Sequence, residues 1–242
     1  MYTWLMKIAF ISDIHANIHA FESVLKQIKK EKPDRLLFLG DASTLGIRPE
    51  ESLDLLESLH CDCIMGNHDD FMIDPEKIHK YTNNKLVIDT VEWSRARHRE
   101  RHFAFIRTFK KELRVPFIPG TDIFCYHGSP LSNMENVTPE SGVDSFSSLL
   151  HETPDTIFIG GHTHVQMLKI YNGTRILTAG SVGQPFVGYQ MPPVKHPWAE
   201  YTTIKSVGKH YDIQFHQVEI DNDFINREIL ESDSPMNTFI SE

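Results

Sequence analysis

Five short apolar runs in this chain each end abruptly on Asp, Asn or His. KIAFIS runs into Asp13-Ile14-His15, RLLFLG into Asp41, and CDCIM into Gly66-Asn67-His68-Asp69-Asp70; DIFCY runs into His127, and TIFIGG into His162-Thr163-His164. Runs this short, rich in Ile and Phe and flanked by polar turns, read as strands buried on both faces. Between them lie helical patterns. Ala20 to Lys30 puts Phe21, Val24, Leu25 and Ile28 on one face and stops before Pro33, and Glu50 to Leu59 repeats the pattern with Leu53, Leu55, Leu56 and Leu59. Strand–helix–strand alternation predicts an α/β protein. In such sheets the loops at the carboxyl ends of the strands converge on one edge, where ligands bind. All five polar clusters sit at carboxyl ends.

Residues 71–120 break this rhythm and read as a mainly helical insertion or cap over the active edge. After His164 the pattern turns to short β-rich pieces, with a hairpin expected at Asn172-Gly173. Residues 221–234 are expected to form a last helix and the final MNTFISE to fray. No internal repeat or linker divides the chain, so one domain over 1–242 is expected.

Composition removes several function classes. No apolar run approaches the roughly 20 residues of a membrane span, and the first 15 residues do not read as a secretory leader. Three cysteines without C-x-x-C spacing argue against a disulfide framework or a zinc–thiolate site and fit a reducing cytoplasm. A net charge of -9 argues against broad nucleic-acid binding. Of 14 histidines, His15, His68, His127, His162 and His164 fall in the five loops.

Collected, the loops offer Asp13, His15, Asp41, Asn67, His127, His162 and His164, with His68 and Asp69 adjacent. Carboxylate, amide oxygen and imidazole without thiolate suit Mn, Fe, Zn, Co or Ni, with Mn the first choice in vitro. Seven such groups are too many for one ion and about right for two. Asp41 stands alone in its loop and is the natural bridge. Two ions about 3.5–4 Å apart would hold a hydroxide and clamp a phosphate in line with it.

Asp13-Ile14-His15, Gly40-Asp41, Gly66-Asn67-His68-Asp69, His127 and Gly161-His162-Thr163-His164 together resemble the signature of the calcineurin-like metallophosphoesterases, over about residues 6 to 190. SDIHANIHAFESVL, HGSP and GSVGQP resemble the small bacterial and archaeal members. The resemblance implies a four-layer α/β/β/α sandwich. It implies one metal on Asp13, His15, Asp41 and His164, and a second on Asp41, Asn67, His127 and His162. His68 would face the substrate and stabilise the transition state or protonate the leaving oxygen, with Asp69 orienting its ring; a His raised by a carboxylate suits that donation near neutral pH. The implied activity is phosphomonoester or phosphodiester hydrolysis by a metal-bridging hydroxide, on a small phosphorylated substrate such as a nucleotide.

Two departures bear on substrate. Protein phosphatases of this superfamily carry an arginine shortly after the bridging aspartate, where this chain reads GDASTLG; the basic residue usual after GSVGQP is Phe186 here. Rival readings are a nucleotide pyrophosphohydrolase using the same site, a protein phosphatase, and a non-catalytic scaffold of the same fold. The run Arg95 to Arg101 reads as a solvated helix face, with arginines hanging over the metals as the alternative. Trp93, Phe103, Phe105 and Phe109 read as core of the insertion.

Overall fold

In the computed structural model, which describes residues 6–141, 146, 155–190 and 193–241, each of the five apolar runs is a strand. They are β1 (Lys7–Ile11), β2 (Arg35–Phe38), β3 (Asp62–Cys63), β5 (Thr121–Cys125) and β6 (Ile157–Gly160). The remaining strands are β4 (Leu113–Ile118), β7 (Met167–Tyr171), β8 (Thr174–Thr178), β9 (Trp198–Val207) and β10 (His210–Glu219). They form two five-stranded mixed sheets, ordered β10-β9-β1-β2-β3 and β4-β5-β6-β8-β7. The strands that carry the polar loops are parallel within each sheet, β1 to β2 to β3 and β5 to β6. Their carboxyl ends therefore lie on common edges.

Period-two alternation decides the layering. Ile8 and Phe10 of β1 point into the interface between the sheets, where Leu37, Ile64, Val115, Phe117, Cys125, Ile159 and Leu177 meet them. Ala9 and Ile11 point the other way, onto Phe21, Val24 and Ile28 of α1 (Ile18–Glu31) and Leu53 and Leu56 of α2 (Pro49–Ser58). Burial on both faces is what an uninterrupted apolar strand requires. Helix α1 starts where the Asn17 side chain accepts the Ala20 N–H, and it stops at Lys32 in the left-handed region, just before Pro33. The outer face of the second sheet packs Phe124, Tyr126, Phe158, Met167 and Ile176 with Val137 and Phe146. Of residues 142–154, only Phe146 is among the described residues.

The segment expected to be mainly helical over 71–120 is helical only in its first part. Helices α3 (Asn67–Ile73), α4 (Ile78–Tyr81), α5 (Lys85–Arg97) and α6 (Glu100–Ile106) precede a return of the chain to the sheets. Lys110 bridges to Ile64 beside β3, and Leu113–Ile118 is strand β4, antiparallel to β5. LRVPFI reads poorly as a strand because Pro116 interrupts it. The structure accommodates that proline on an edge strand, where the register shifts between Pro116 and Ile118.

The Asn172-Gly173 hairpin forms between β7 and β8. Helix α7 (Asn222–Glu231) follows β10, capped by the Asp221 side chain on Phe224 N–H. The final segment was expected to fray, yet it forms α8 (Met236–Ser241), with Met236 buried against Ile225 and Ile229. Among the described residues no helix is long and apolar enough to cross a membrane.

Candidate metal centre

Asp13 and His15 follow β1, Asp41 follows β2, Asn67 and His68 open α3 after β3, His127 follows β5, and His162 and His164 follow β6. The two sheets thus bring all seven expected ligands to one edge, and all seven are buried. Asp13, His15, Asp41, His162 and His164 have φ of 54, 48, 67, 70 and 60°, in the left-handed region. Holding a side chain there costs about 1–2 kcal/mol per residue. Such strain persists only where surrounding structure enforces it, and it gathers at functional sites. Glycine is required beside these turns: a Cβ on Gly66 would lie 2.1 Å from Asp41 Oδ1, and Gly40 has φ +109°.

Six of the seven residues form two groups, and Asn67 lies beside the second. Asp13, His15 and His164 are one, and Asp41, His127 and His162 the other, with the ligand atoms of each within 4.8 Å of one another. In the first, His15 Nε2 lies 2.9 Å from His164 Nε2, and Asp13 Oδ1 lies 3.3 Å from His164 Nε2. In the second, His127 Nε2 lies 3.0 Å from Asn67 Oδ1. One atom reaches both groups. Asp41 Oδ2 is 3.8 Å from His15 Nε2 and 3.4 Å from His127 Nε2.

Hydrogen bonding aims the lone pairs inward. His127 Nδ1–H donates to the Leu39 carbonyl and His164 Nδ1–H to the Gln184 carbonyl, which leaves both Nε2 atoms free to act as ligands. Asp41 Oδ1 accepts the His68 N–H, and Asp13 Oδ2 accepts the His162 N–H. The other oxygen of each carboxylate faces the interior, and Asp13 Oδ1 and His162 Nε2 are buried without any hydrogen-bond partner. With Nδ1–H committed to Leu39, a neutral His127 makes Nε2, Asn67 Oδ1 and Asp41 Oδ2 three converging acceptors, which only a proton or a cation can join. Buried acceptors left facing one another cost several kcal/mol unless a cation joins them. The donor set fits two divalent ions.

The charge states agree. Burial, reinforced by the other imidazoles, holds His15 well below the usual histidine range, and burial brings His162 down to about 4. Burial pushes against ionisation of Asp13 and Asp41, but facing histidines outweigh it and both stay below the ordinary carboxylate value. Neutral imidazoles and ionised carboxylates are the forms that bind metal. His127 is the exception: burial lowers it, yet Asp41 outweighs burial and lifts it to about 9. A proton there occupies the gap between Nε2 and Asp41 Oδ2 that a cation would take.

Two expected roles need correction. Asp69 does not orient the His68 ring. Its carboxylate accepts the backbone N–H groups of Gly66, Asp41 and Ala42 at 3.0, 2.8 and 2.9 Å, and so ties the β2 and β3 loops together. The His68 ring is held instead by Thr44 Oγ1, 2.8 Å from Nδ1. Nor do the carboxylates raise His68. Burial is the larger effect and lowers it, with Asp41 only partly opposing. Asp70, left without a role by the sequence, pairs with Lys77.

The arginine run ties the insertion to its neighbours rather than to the metal groups. Arg97 pairs with Asp233, Arg99 with Glu50 and Arg101 with Asp54, while Arg95 donates to the Met72 carbonyl. Phe103, Phe105 and Phe109 pack on the main core. Three further residues line the site, of which only Phe186 stands out in the sequence. Gln184 anchors His164, Phe186 stacks on the His164 ring at 4.7 Å, and Tyr81 packs against His68 and His162. His151 lies outside the described residues.

The fold has close solved counterparts. A metallophosphoesterase from Sphaerobacter thermophilus superposes with a TM-score of 0.69 at 23% identity, covering 96% of this chain and 97% of that one. A hypothetical protein from Pyrococcus horikoshii reaches 0.79 at 18% identity, covering 96% and 95%. An uncharacterized protein of Methanocaldococcus jannaschii is 27% identical over 177 residues, 72% of this chain and 69% of that protein. The calcineurin-like phosphoesterase superfamily domain matches residues 6–192, which span all five ligand loops. With that match over most of its length, the chain belongs to the calcineurin-like phosphoesterase superfamily.

Proposed function

We propose that this protein hydrolyses phosphate esters with two divalent cations, one held by Asp13, His15, Asp41 and His164, the other by Asp41, Asn67, His127 and His162. The observation that carries the reading is Asp41 Oδ2, which sits within 4 Å of an imidazole Nε2 from each group. Bound there, two such ions supply Lewis acidity toward phosphoryl oxygens and a nucleophile at neutral pH. The protein's own part is positioning. Asp69 fixes the loop that carries Asp41, the Leu39 and Gln184 carbonyls fix two imidazole tautomers, and Thr44 holds the His68 ring. The substrate is a small phosphorylated molecule, and His68, neutral without it, takes up a proton beside the phosphate's negative charge and passes it to the leaving oxygen. Mn is the metal of choice for assay.

The test is reconstitution. Protein stripped by a chelator and reloaded with Mn is assayed on p-nitrophenyl phosphate, its bis ester and a panel of nucleotides. Turnover is expected with Mn and none with chelator. Absence of turnover on every ester with Mn, Fe, Zn, Co and Ni in turn would remove the hydrolase reading.

A further inference from the structure

Residues 185–187 and 194–196 pair antiparallel beside the first metal group. The Phe186 N–H donates to the His164 carbonyl at 3.0 Å, and the Phe186 ring stacks on the His164 imidazole at 4.7 Å. Gln184 pins the base of this pair, its carbonyl accepting from His164 Nδ1 and its side-chain amide donating to the Leu45 carbonyl at 2.7 Å. Across from Phe186 stands Lys195. The Val187 N–H donates to the Val194 carbonyl and the His196 N–H to the Pro185 carbonyl, both at 2.8 Å, so the hydrogen bonds flank the Phe186–Lys195 pair. In a pair flanked this way the two residues approach most closely, with Cα atoms about 4.5 Å apart, and both side chains leave the same face. The Phe186 ring meets His164 on that face, so the Lys195 side chain sets out beside the ring and toward the metal groups.

Lys195 is exposed, and among the described residues it has no carboxylate or other hydrogen-bond partner. The arginines of the insertion are committed, Arg97, Arg99 and Arg101 each to a carboxylate, and so is Lys77 of the same segment, to Asp70. An ammonium is a compact point charge with three donors, suited to a phosphate or a carboxylate. Most exposed lysines serve only solvation; the position of this one is what sets it apart. Between its backbone and His164 lies the Phe186 ring, which is only partly buried. A molecule reaching from the metal groups to the ammonium must cross that apolar ring. Its two ends would meet positive charge, and its middle would meet an aromatic face.

We propose that Lys195 is a specificity-determining residue: it binds a second anionic group of the substrate, joined to the reacting phosphate by an organic spacer that lies over Phe186. This rests on the phosphoesterase reading above, and the experiment separates the two. Mn-loaded wild type, Lys195→Met and Lys195→Arg, their metal content measured by elemental analysis, are assayed on phenyl phosphate, p-carboxyphenyl phosphate and hydroquinone bisphosphate. Only the last two carry a second anion. Lys195→Met is expected to raise KM about tenfold on an ester with a second anion, the scale of one hydrogen bond to a charged group, with kcat unchanged. On phenyl phosphate neither constant should move, and Lys195→Arg should keep wild-type values throughout. A rise on the carboxylate alone or the bisphosphate alone names the anion. Calorimetry with the non-hydrolysable p-(phosphonomethyl)benzoate and benzylphosphonate reads the same contact without turnover, and Lys195→Met should weaken only the first. An unchanged KM on both anionic esters, or an equal rise on phenyl phosphate, overturns the proposal and leaves the phosphoesterase reading standing. Metal-loaded protein that turns over none of the three esters removes both.

Discussion

Asp69 Oδ2 accepts the backbone N–H of Asp41 at 2.8 Å, so the two carboxylates are back to back, one facing protein and the other facing the metal groups. Asp69 accepts two further backbone N–H groups, from Gly66 and Ala42, and one carboxylate thereby sets the position of the loop that joins both metal groups.

Asp69→Ala leaves three buried N–H donors without a partner. The expected loss is about 2–4 kcal/mol in chemical denaturation, since each abandoned buried group costs on the order of 1–3 kcal/mol and the loop relaxes in part. Metal affinity should fall by about 10–100-fold, the usual effect of removing a support behind a ligand. Competition with a chelating dye measures it. Unchanged affinity would mean that the loop holds Asp41 without help.

Thr44→Val removes the hydroxyl that pins His68 Nδ1 while keeping the buried volume. Thr44 Oγ1 is 3.5 Å from His15 Nδ1, a weaker contact, so metal content should hold. Turnover should drop by about tenfold on esters with poor leaving groups and less on p-nitrophenyl esters, which need little protonation. An equal drop on both would place Thr44 in binding rather than in proton transfer.

The five loops were legible because each stands where an apolar strand stops, and the chemistry of Asp, Asn and His has no other use there. Even β3, only two residues long, announced its loop through Gly66-Asn67-His68. The direction in which neighbours point was not legible. Asp69 follows His68 in sequence, but at the first turn of α3 successive side chains diverge by about 100°, so adjacency said nothing about contact. Thr44 and Tyr81 escaped notice for a related reason: their roles depend on how the GDASTLG loop and α4 fold back over the edge, and no period encodes that. Strand β4 was hidden by Pro116, which only an edge position tolerates.

Glu200, not itself a ligand but within the field of His164, offers a pH test. It is 3% exposed, Oε1 accepts from Trp198 Nε1, and Oε2 is buried without a partner. Burial pushes its carboxyl up to about 7, above the 4.5 of an exposed one. The folded state therefore holds this proton more tightly than the unfolded chain. Stability from this group falls as pH rises from about 4.5 to about 7, and the full cost stands above that. Glu200→Gln should gain little at pH 5 and on the order of 2–3 kcal/mol at pH 8, read by urea denaturation in chelator. An equal change at both pH values would show that Glu200 titrates normally.

If Asp41 joins two metal ions, its amide variant should lose them. Elemental analysis of Mn-reconstituted wild type and Asp41→Asn, alongside ester turnover, reads this out. About two ions per chain are expected in the wild type. One or fewer is expected in Asp41→Asn, with turnover lost together with the metal. An Asp41→Asn protein that keeps both ions and hydrolyses esters at the wild-type rate would contradict that role of Asp41.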